Sequence, residues 1–441
     1  MSTTDMVNFT AADRYDKLWL WFLGDPTAPR LAGRLRLVES GKGVSLQYAP
    51  SWLESGFALS EDLTLVDLEH LPRAKGLAAG AVDDARPDRW GERLIQHLDK
   101  PRRLSLMEFL FLAGDDRFGA LGVSTSPDSY QPRPAGPLPR LQDAQQLSGI
   151  VAKINAKEPI SNIERRMMHA GGSFGGAKPK ALIQSEGAQW VIKFFNGEPV
   201  DVPLIEHAAM TLAAKAHIRV ATTQPVRLAA EHAVIVQRYD RIGAGGVHCI
   251  SAGTALRAIA PTGQPPDFGY PALAQLLRRV GDTQHDANRC DMQELFRRMV
   301  FNILMDNTDD HEKNHTLMFT GHDQRAKLRL SPAYDVLPTN SGQGHQEFIV
   351  GDAAGDSTLA NAMSQCEQFG LSRDKAADQV LQVVAVVDGW RAHFEAAGVT
   401  PGDLDSLAER IDEGELGAQR AEFKPEDFVH KRPRRRQGPF A

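Results

Sequence analysis

The sequence predicts an α+β protein in which a small N-terminal α/β region precedes a lobe with an antiparallel sheet and an all-helical lobe. Short runs of alternating apolar and polar residues, which are typical of strands, occupy the chain up to Tyr48. Apolar strand patterns return at 181–183, 189–195 and 233–236, and helical patterns dominate from Ala272 onward. We therefore expect sheets in the first two regions and helices in the last.

Composition excludes several classes of protein. The chain has 441 residues, of which 42% are hydrophobic and 24% charged, as in a globular protein with ample core. Its net charge of −6 is not that of a polycation built for nucleic acid, and no apolar run reaches the ~20 residues of a membrane span. The N-terminus lacks the features of a secretory signal, and the three widely spaced cysteines favour neither disulfides nor a zinc site. We expect a cytoplasmic protein with no membrane partner.

The region 1–125 is predicted to contain a small antiparallel sheet and two helices. The strand patterns lie at 17–22, 32–38 and 43–48, and the helical patterns lie at 86–98 and 105–113. Pro87 suits a first helical turn, and Trp90 is expected to be a packed anchor. No catalytic constellation is visible in this region.

Residues 126–140 are predicted to be a linker. The stretch STSPDSYQPRPAGPLPR is rich in Pro, Ser and Gly and cannot continue a helix or a central strand. We expect a sheet-containing lobe at 141–240, a helical lobe at 241–425 with long helices at 376–397 and 403–411, and a basic tail at 426–441. The tail either contacts nucleic-acid phosphates or is simply solvated.

The stretch GGSFGGAKPK at 171–180 predicts a phosphate-binding loop. Its glycines allow backbone N–H groups to approach a polyphosphate closely. The loop is neither a Walker A motif nor G-x-G-x-x-G, and a flexible surface loop is the alternative interpretation.

Lys193 lies inside the apolar strand pattern QWVIKFF, where an ammonium needs a partner unless it extends to solvent at a strand edge. Glu206, in the predicted helix LIEHAAMTLAAKAH, and nucleotide phosphates are the partners that a kinase uses. The next strand pattern turns polar at Gln237, the position of the adenine-binding hinge in a kinase. Asp240 and Arg241 are expected to anchor that turn.

A carboxylate, an amide and a second carboxylate follow in the helical lobe. Asp309 and Asn314 form a D-x-x-x-x-N pattern at the end of a helix, and Asp335 follows a strand pattern at 327–331. One aspartate can orient an attacking hydroxyl while the other two residues hold magnesium. Such residues are also ordinary in solvated loops. It is their order, after the glycine-rich loop, the strand lysine, the helix glutamate and the hinge, that predicts phosphoryl transfer from Mg-ATP.

This ordered set resembles the HipA family of serine/threonine kinase toxins from bacterial toxin–antitoxin modules. VDDARPDRWGERLI and FLAGDDRFGALGV resemble N-terminal stretches of the family, SFGGAKPK its phosphate loop, TDDHEKN its T-D-G-H-x-K-N catalytic loop, and PAYDV its metal-binding segment. The resemblance implies a protein-kinase-like bilobal fold. In that fold, 1–125 would be the HipA N-terminal subdomain, 141–240 the N-lobe and 241–425 the C-lobe.

The resemblance also implies a role for each matching position. Asp309 is expected to be the catalytic base, Lys193 to contact the ATP phosphates, and Asn314 and Asp335 to hold Mg²⁺. Ser173 is expected to be an autophosphorylation site whose modification expels the loop and blocks ATP binding. The expected nucleotide-binding residues are Ser173, Gly175, Gly176, Ala177, Lys180, Lys193, Glu206, Gln237, Tyr239, His311 and Lys313.

Two positions depart from the family pattern. Asp310 stands where the family usually has Gly, so we expect an additional acidic side chain beside the base that weakens substrate binding or alters metal affinity. Gln237 replaces the usual hinge Glu, and an adenine contact made through the backbone would survive that change.

The resemblance implies an ATP- and magnesium-dependent serine/threonine kinase that arrests growth by phosphorylating an aminoacyl-tRNA synthetase of the glutamyl-tRNA synthetase type. Its expected partners are a HipB-like helix-turn-helix antitoxin and, through that complex, operator DNA. Two alternatives stay open. One is a weakly active or inactive kinase-fold corepressor that binds DNA together with the antitoxin, and the other is a kinase of small molecules.

Overall fold

The computed structural model describes residues 15–168, 176–339 and 341–428. The strands, in chain order, are β1 Lys17–Phe22, β2 Arg30–Val38, β3 Gly43–Tyr48, β4 Glu69–His70, β5 Leu121–Ser124, β6 Lys180–Ser185, β7 Ala188–Phe194, β8 Thr223–Arg227, β9 His232–Gln237, β10 Arg241–Ile242, β11 Gly245–Gly246, β12 Cys249–Ser251, β13 Thr316–Phe319 and β14 Leu328–Leu330. The α-helices are α1 Pro50–Ser55, α2 Arg89–Leu98, α3 Leu106–Leu112, α4 Ala144–Asn155, α5 Asn162–Met167, α6 Val202–Lys215, α7 Ala252–Ile259, α8 Tyr270–Val280, α9 Ala287–Leu304, α10 Leu359–Ser364, α11 Arg373–Val387, α12 Trp390–Ala396, α13 Pro401–Ile411 and α14 Gly414–Glu422. Within the described ranges, no helix combines the length and the apolar character that crossing a bilayer demands.

The N-terminal sheet has the strand order β4-β3-β2-β1-β5, and all neighbouring strands are antiparallel. Leu18 and Leu20 of β1 are fully buried, whereas Lys17 is exposed, as the alternating pattern predicts. The predicted place of Pro87 in a first helical turn is wrong. Helix α2 begins after Asp88, whose carboxylate caps it by accepting a 2.7 Å hydrogen bond from the Gly91 N–H, so Pro87 precedes the cap.

The second sheet has the order β6-β7-β9-β8 and is also antiparallel throughout. One hydrophobic cluster joins its strands to α4 and to α2, which comes from the N-terminal region. Trp90 of α2 is fully buried there, and its indole N–H donates a 2.8 Å hydrogen bond to the Lys180 carbonyl. The N-terminal region therefore shares a core with this sheet, and the domain division expected at 126–140 stays a prediction.

Truncating Trp90 is expected to destabilise the fold. Trp90→Ala should lower the free energy of unfolding by about 3–5 kcal/mol, because a large buried ring is lost and a cavity is left. Trp90→Phe should cost less, since it keeps most of the ring and loses mainly the hydrogen bond to Lys180. Urea unfolding measures both, with Trp19→Ala as the control because Trp19 is only half-buried. Equal losses in Trp90→Ala and Trp19→Ala would contradict the anchoring role.

The C-terminal lobe is mainly helical, and α9 packs against α8 and α11 at its centre. The expectation that it is all-helical is wrong, because it also contains the short antiparallel pair β10–β11 and a second small sheet. Strands β12, β13 and β14 form a small antiparallel sheet there, because the apolar stretch Thr316–Phe319 after the catalytic loop pairs on both sides. The helix predicted at 376–397 is two helices, α11 and α12, which are separated at Asp388 and Gly389.

This order of elements positions the candidate site. Lys193 lies on β7, Glu206 on α6, and Gln237 at the end of β9, while Asp309 and Asn314 lie between α9 and β13 and Asp335 follows β14.

Candidate active site

A cavity of about 340 Å³ lies where the second sheet meets the N-terminal region and the segments around β12 to β14. Four parts of the chain form its wall: the stretch 83–92 with Phe118, strands β7 and β9, the turn after β9, and the segments around β12 to β14. The predicted site residues that line it are Lys193, Gln237, Tyr239, Lys313 and Asp335. The cavity therefore brings together residues that lie far apart in the sequence.

The ammonium of Lys193 is held by two carboxylates. It donates to Glu206 at 2.6 Å and to Asp335 at 2.9 Å. Burial alone would lower the pKa of Lys193, but the charges of Asp335 and Glu206 raise this pKa above its ordinary value. Lys193 therefore stays charged inside an apolar strand, and it is paired with Glu206 as its position in the sequence predicted.

The backbone of Asp335 adopts a conformation that is uncommon for residues other than glycine. Its φ of 57° lies in the left-handed region, which Asp and Asn tolerate better than most residues. Burial would raise the pKa of its carboxyl, but Lys193, together with the more distant Lys178 and Lys180, holds that pKa well below its ordinary value. Asp335 is thus an anion whose present counter-charge is the Lys193 ammonium.

The loop between α9 and β13, which is the predicted catalytic loop, holds its backbone in place with its own polar groups. The Asn314 amide nitrogen donates to the Asp309 carbonyl at 3.3 Å, and the Asn314 N–H donates to the His311 carbonyl at 2.9 Å. The Asp309 side chain is exposed, and neither it, His311 nor Asn314 lines the cavity wall. Partial burial raises the pKa of Asp309, and the nearby Asp335 carboxylate raises it further, while His311 opposes both. The carboxylates of Asp309 and Asp335 therefore lie close enough to interact electrostatically.

The Asp310 side chain does not lie beside that of Asp309, so the expectation of two adjacent acidic side chains in this loop is wrong. Its side chain is turned into the core, where it is 3% exposed and 2.8 Å from the His315 imidazole. The loop alternates at this point, so that Asp309 faces solvent and Asp310 faces inward.

Two stacked tyrosines line the cavity, Tyr239 in the turn after β9 and Tyr334 in the segment after β14. The rings of Tyr239 and Tyr334 stack with centroids 5.4 Å apart, and both hydroxyls bond to the Thr316 hydroxyl, at 3.0 and 2.8 Å. The backbone N–H of Gln237 donates to the Thr222 carbonyl at 2.8 Å, so this N–H is already used within the protein.

Asp240 anchors this turn, as expected, and it also lines the cavity. Its carboxylate accepts from Arg238 and Arg241 and from the Gly119 N–H, and the two guanidinium groups lower its pKa to about 2 despite burial. The turn is therefore rigid, and it is tied to the N-terminal region through Gly119.

The predicted phosphate loop is described only in part. Ser173 and Gly175 lie outside the described residues, while Gly176 and Ala177 are exposed and do not line the cavity. The Lys180 side chain is 3% exposed and forms a 3.0 Å ion pair with Asp88 of the N-terminal region. Lys180 is thus bound within the protein and does not line the cavity.

Sequence reasoning missed the contribution of the N-terminal region. The cavity-lining residues of this region are Asp83, Asp84, Arg86, Pro87, Asp88, Arg89, Glu92 and Phe118. Asp84 accepts hydrogen bonds from the N–H and the hydroxyl of Ser251, both at 2.7 Å, and burial raises its pKa. The available sequence signal was the dense run of charged residues in DDARPDRWGER, which leads into a helix with an apolar face. A surface that only contacts water does not require so many charges in one place.

The donor groups of the site fit magnesium and a polyphosphate. Asp335 already binds a cation, the Lys193 ammonium, and the bond from the Asn314 amide nitrogen leaves the amide oxygen outside that contact. The described ranges contain no group of three or more His, Cys, Asp or Glu arranged as a metal site. Magnesium bound with a nucleotide needs only one or two protein oxygens besides phosphates and water, so Asn314 and Asp335 suffice.

The chain matches two family models. Residues 27–124 match the HipA N-terminal domain, and residues 172–390 match the HipA-like C-terminal domain. Two proteins of Sinorhizobium fredii (strain NBRC 101917 / NGR234), which carry the names "Putative kinase Y4dM" and "Putative kinase Y4mE", are 29% identical to it over 228 and 253 residues. These matches cover 48% and 51% of this chain and 51% and 56% of the relatives, so the chain spans about half the length of the relatives it matches.

A solved structure matches over most of the chain. The chain is similar to HipA in the complex of HipA, HipB and operator DNA from Shewanella oneidensis MR-1, with a TM-score of 0.65 and 16% identity. The match covers 93% of this chain and 99% of that one. At this level of identity the similarity shows the fold, and it confirms the bilobal α+β architecture that the sequence predicted.

Proposed function

The chain belongs to the HipA family, and from this premise we propose that it is a serine/threonine-protein kinase that transfers the γ-phosphoryl group of ATP to a protein hydroxyl. The observation that carries the proposal is the bonding of Lys193 to both Glu206 and Asp335 at the cavity wall. A strand lysine paired with a helix glutamate and placed beside a metal-binding aspartate is the arrangement that kinases use to hold ATP phosphates.

In the proposed reaction, the protein mainly positions groups and neutralises charge. Lys193 exchanges its contact with Asp335 for one with the phosphates and keeps Glu206. Asn314 and Asp335 offer oxygen ligands to Mg²⁺, which, when bound, supplies positive charge to the phosphates. The exposed Asp309 carboxylate accepts the hydrogen of the substrate hydroxyl and aims that hydroxyl at the γ-phosphorus. Gln237 and Tyr239 line the part of the cavity that we assign to the adenine ring of ATP.

We further propose that the protein is the growth-arresting toxin of a HipBA-like module. A HipB-like helix-turn-helix antitoxin would neutralise it, and the two would bind operator DNA together. Support comes from the structural relative, which was solved with HipB and operator DNA. The proposed target is an aminoacyl-tRNA synthetase of the glutamyl-tRNA synthetase type, as the family resemblance implies.

Comparison of wild type with Asp309→Asn tests this function. Inducing the wild type in cells should arrest growth, and phosphoproteomics should find Ser or Thr sites that are absent from cells expressing Asp309→Asn, with a synthetase among them. Asp323→Asn serves as control, since this exposed aspartate lies in the turn before β14 and outside the cavity. Arrest that persists unchanged in Asp309→Asn would contradict the kinase and indicate a cause of arrest other than phosphoryl transfer. New phosphate found only on small molecules would favour the small-molecule kinase.

Autophosphorylation of Ser173 is proposed as the off switch. A phosphate there adds about −1.5 to −2 charges to the loop that would cradle the ATP phosphates, so repulsion should weaken nucleotide binding. Mass spectrometry after incubation with Mg-ATP should find phosphate on Ser173 in the wild type and not in Asp309→Asn. Ser173→Asp should bind ATP at least ~10-fold more weakly than the Ser173→Ala control, which is a loss of ~1.4 kcal/mol. Tight ATP binding by Ser173→Asp would contradict the switch.

A further inference from the structure

The catalytic loop carries a second pair of side chains with the same spacing as its first. Asp309 and Asn314 are five positions apart, and so are Asp310 and His315, the residues that directly follow them. In the first pair Asp309 is exposed and Asn314 is 7% exposed, whereas in the second pair Asp310 and His315 are only 3% and 2% exposed. Each residue proposed for catalysis or metal binding in this loop is therefore followed by one that points into the core.

The two inward side chains are bonded to each other. The Nε2 atom of His315 lies 2.8 Å from the Oδ2 atom of Asp310, and the Tyr270 hydroxyl donates to the same oxygen. Because the carboxylate only accepts, the hydrogen in the first contact is on His315 Nε2. Burial would raise the pKa of Asp310, but His315 and Tyr270 lower it. Asp310 is thus an anion in the core that holds two donors.

The surroundings of this pair leave it little freedom. The His315 ring stacks on Phe348 with centroids 5.2 Å apart, and Tyr270 meets both rings edge-on at 5.4 and 4.9 Å. The Asn302 amide, on α9, donates to the Tyr270 hydroxyl at 3.1 Å. The pair is therefore fixed by α8, by α9 and by the segment that contains Phe348.

The segment that contains Phe348 also holds the loop backbone. The N–H of Glu347 donates to the carbonyl of Thr308 at 3.1 Å, directly before Asp309. At the other end of the loop, the N–H of Ala252 donates to the His315 carbonyl at 2.8 Å. These contacts fix both ends of the loop, and the Asp310–His315 bond joins the two ends through side chains.

We propose that the Asp310–His315 pair is a positioning clamp that sets the separation of the Asp309 carboxylate from the Asn314 amide. Each member is one peptide bond from a residue of the proposed site, so a shift of Asp310 and His315 also moves Asp309 and Asn314. The clamp rests on the proposed phosphoryl transfer. A glycine at position 310, as in the family pattern, has no side chain with which to make it.

Nucleotide binding with and without metal tests the clamp. The readout is the factor by which saturating Mg²⁺ tightens ADP binding to the purified full chain, measured by titration calorimetry. His315→Leu and Asp310→Ala should reduce this factor about 10- to 100-fold, the range typical for groups that orient metal ligands. ADP affinity without metal should change less than about twofold, since the clamp acts on a proposed metal ligand and not on the residues assigned to adenine. His315→Gln, which keeps an N–H donor, should restore most of the factor.

Two controls separate positioning from a merely structural role. Asp291→Asn removes an equally buried carboxylate, which is 1% exposed and paired with Arg219 and Arg329 outside the cavity, and it should leave the magnesium factor unchanged. Melting temperatures identify variants that fail to fold. If His315→Leu and Asp310→Ala do not fold, Asp310→Asn, which keeps an acceptor but loses the charge, takes their place with a reduced factor expected. Equal changes in Asp291→Asn and the clamp variants would overturn the proposal.

The Asn314→Ala variant separates failure of the clamp from failure of the proposed function. If the wild type shows a magnesium factor that Asn314→Ala removes, the proposed metal site holds, and an unchanged factor in folded His315→Leu rejects only the clamp. If the wild type shows no such factor, or Asn314→Ala leaves it intact, the proposed metal site is wrong and the clamp falls with it.

Discussion

Lys193→Met is expected to reduce kcat/KM for phosphoryl transfer by about 10²–10³-fold, the cost of removing one preorganised charge-stabilising donor. Met keeps much of the length and apolar character of the lysine stem, so strand β7 should still pack against β6 and β9. What is lost is the ammonium that now bonds Glu206 at 2.6 Å and Asp335 at 2.9 Å. Without it, the phosphates lose one cation and two carboxylates face each other without compensation.

A companion variant separates the two contacts of Lys193. Glu206→Gln keeps a hydrogen-bond acceptor for the ammonium but removes the charge, so Lys193 should stay near Asp335 with less preference for the phosphates. We expect a smaller loss in kcat/KM, about 10-fold, because the ammonium itself is still present. Rates are measured with [γ-³²P]ATP on a phosphorylated target or, before a target is known, on Ser173.

The control for Lys193→Met is Lys153→Met. Lys153, on α4, also forms a 2.6 Å ion pair, with Glu164, but it lies outside the cavity wall. Its replacement should leave the transfer rate within about twofold of the wild type, as expected for a surface pair. A Lys193→Met protein that transfers phosphate as fast as Lys153→Met would show that the Lys193 ammonium does not serve the reaction.

Local pattern predicted much of the fold, because strand periodicity and apolar burial act over a few residues. Strands β1 and β3 have the expected bounds, and the pairing of Lys193 with Glu206 followed from the cost of an unpaired ammonium in an apolar strand. The contribution of 83–92 to the cavity could not be predicted in this way. Contacts such as Asp84 with Ser251 join residues that are 167 positions apart, and neither residue signals the other locally.

The position of Asp310 shows a second limit of the sequence. Its place beside Asp309 predicted two acidic side chains next to each other, but Asp309 faces solvent whereas Asp310 faces the core. Which of two adjacent aspartates faces the core depends on partners brought by other elements. Tyr270 comes from the start of α8 and His315 from the end of the loop, and together they favour Asp310 inside. The inward direction of the Asp310 side chain was therefore not predictable from the loop sequence.

Asp335→Asn is expected to reduce kcat by about 10³-fold, which corresponds to a loss of ~4 kcal/mol of charge stabilisation by the bound metal. The change is conservative for the fold. Asn tolerates the left-handed φ of 57° as well as Asp does, and Lys193 keeps Glu206 as its partner. The variant removes the negative charge of one of the two proposed magnesium ligands, Asn314 and Asp335. It should therefore need more free Mg²⁺ to reach the half-maximal rate. Rates measured over a range of free Mg²⁺ concentrations show both effects.

Asp286→Asn is the matched control for this change. Asp286 also has a φ of 57°, but it is exposed in the turn before α9 and does not line the cavity. Any change in the free energy of unfolding that comes from the backbone conformation should be the same as in Asp335→Asn. The rate and the magnesium dependence should stay those of the wild type. Because the Lys193 ammonium bonds to the Asp335 carboxylate, a metal ion would have to compete with an internal cation for this group. An Asp335→Asn protein that matched Asp286→Asn in both rate and magnesium dependence would mean that this carboxylate serves only its ion pair with Lys193.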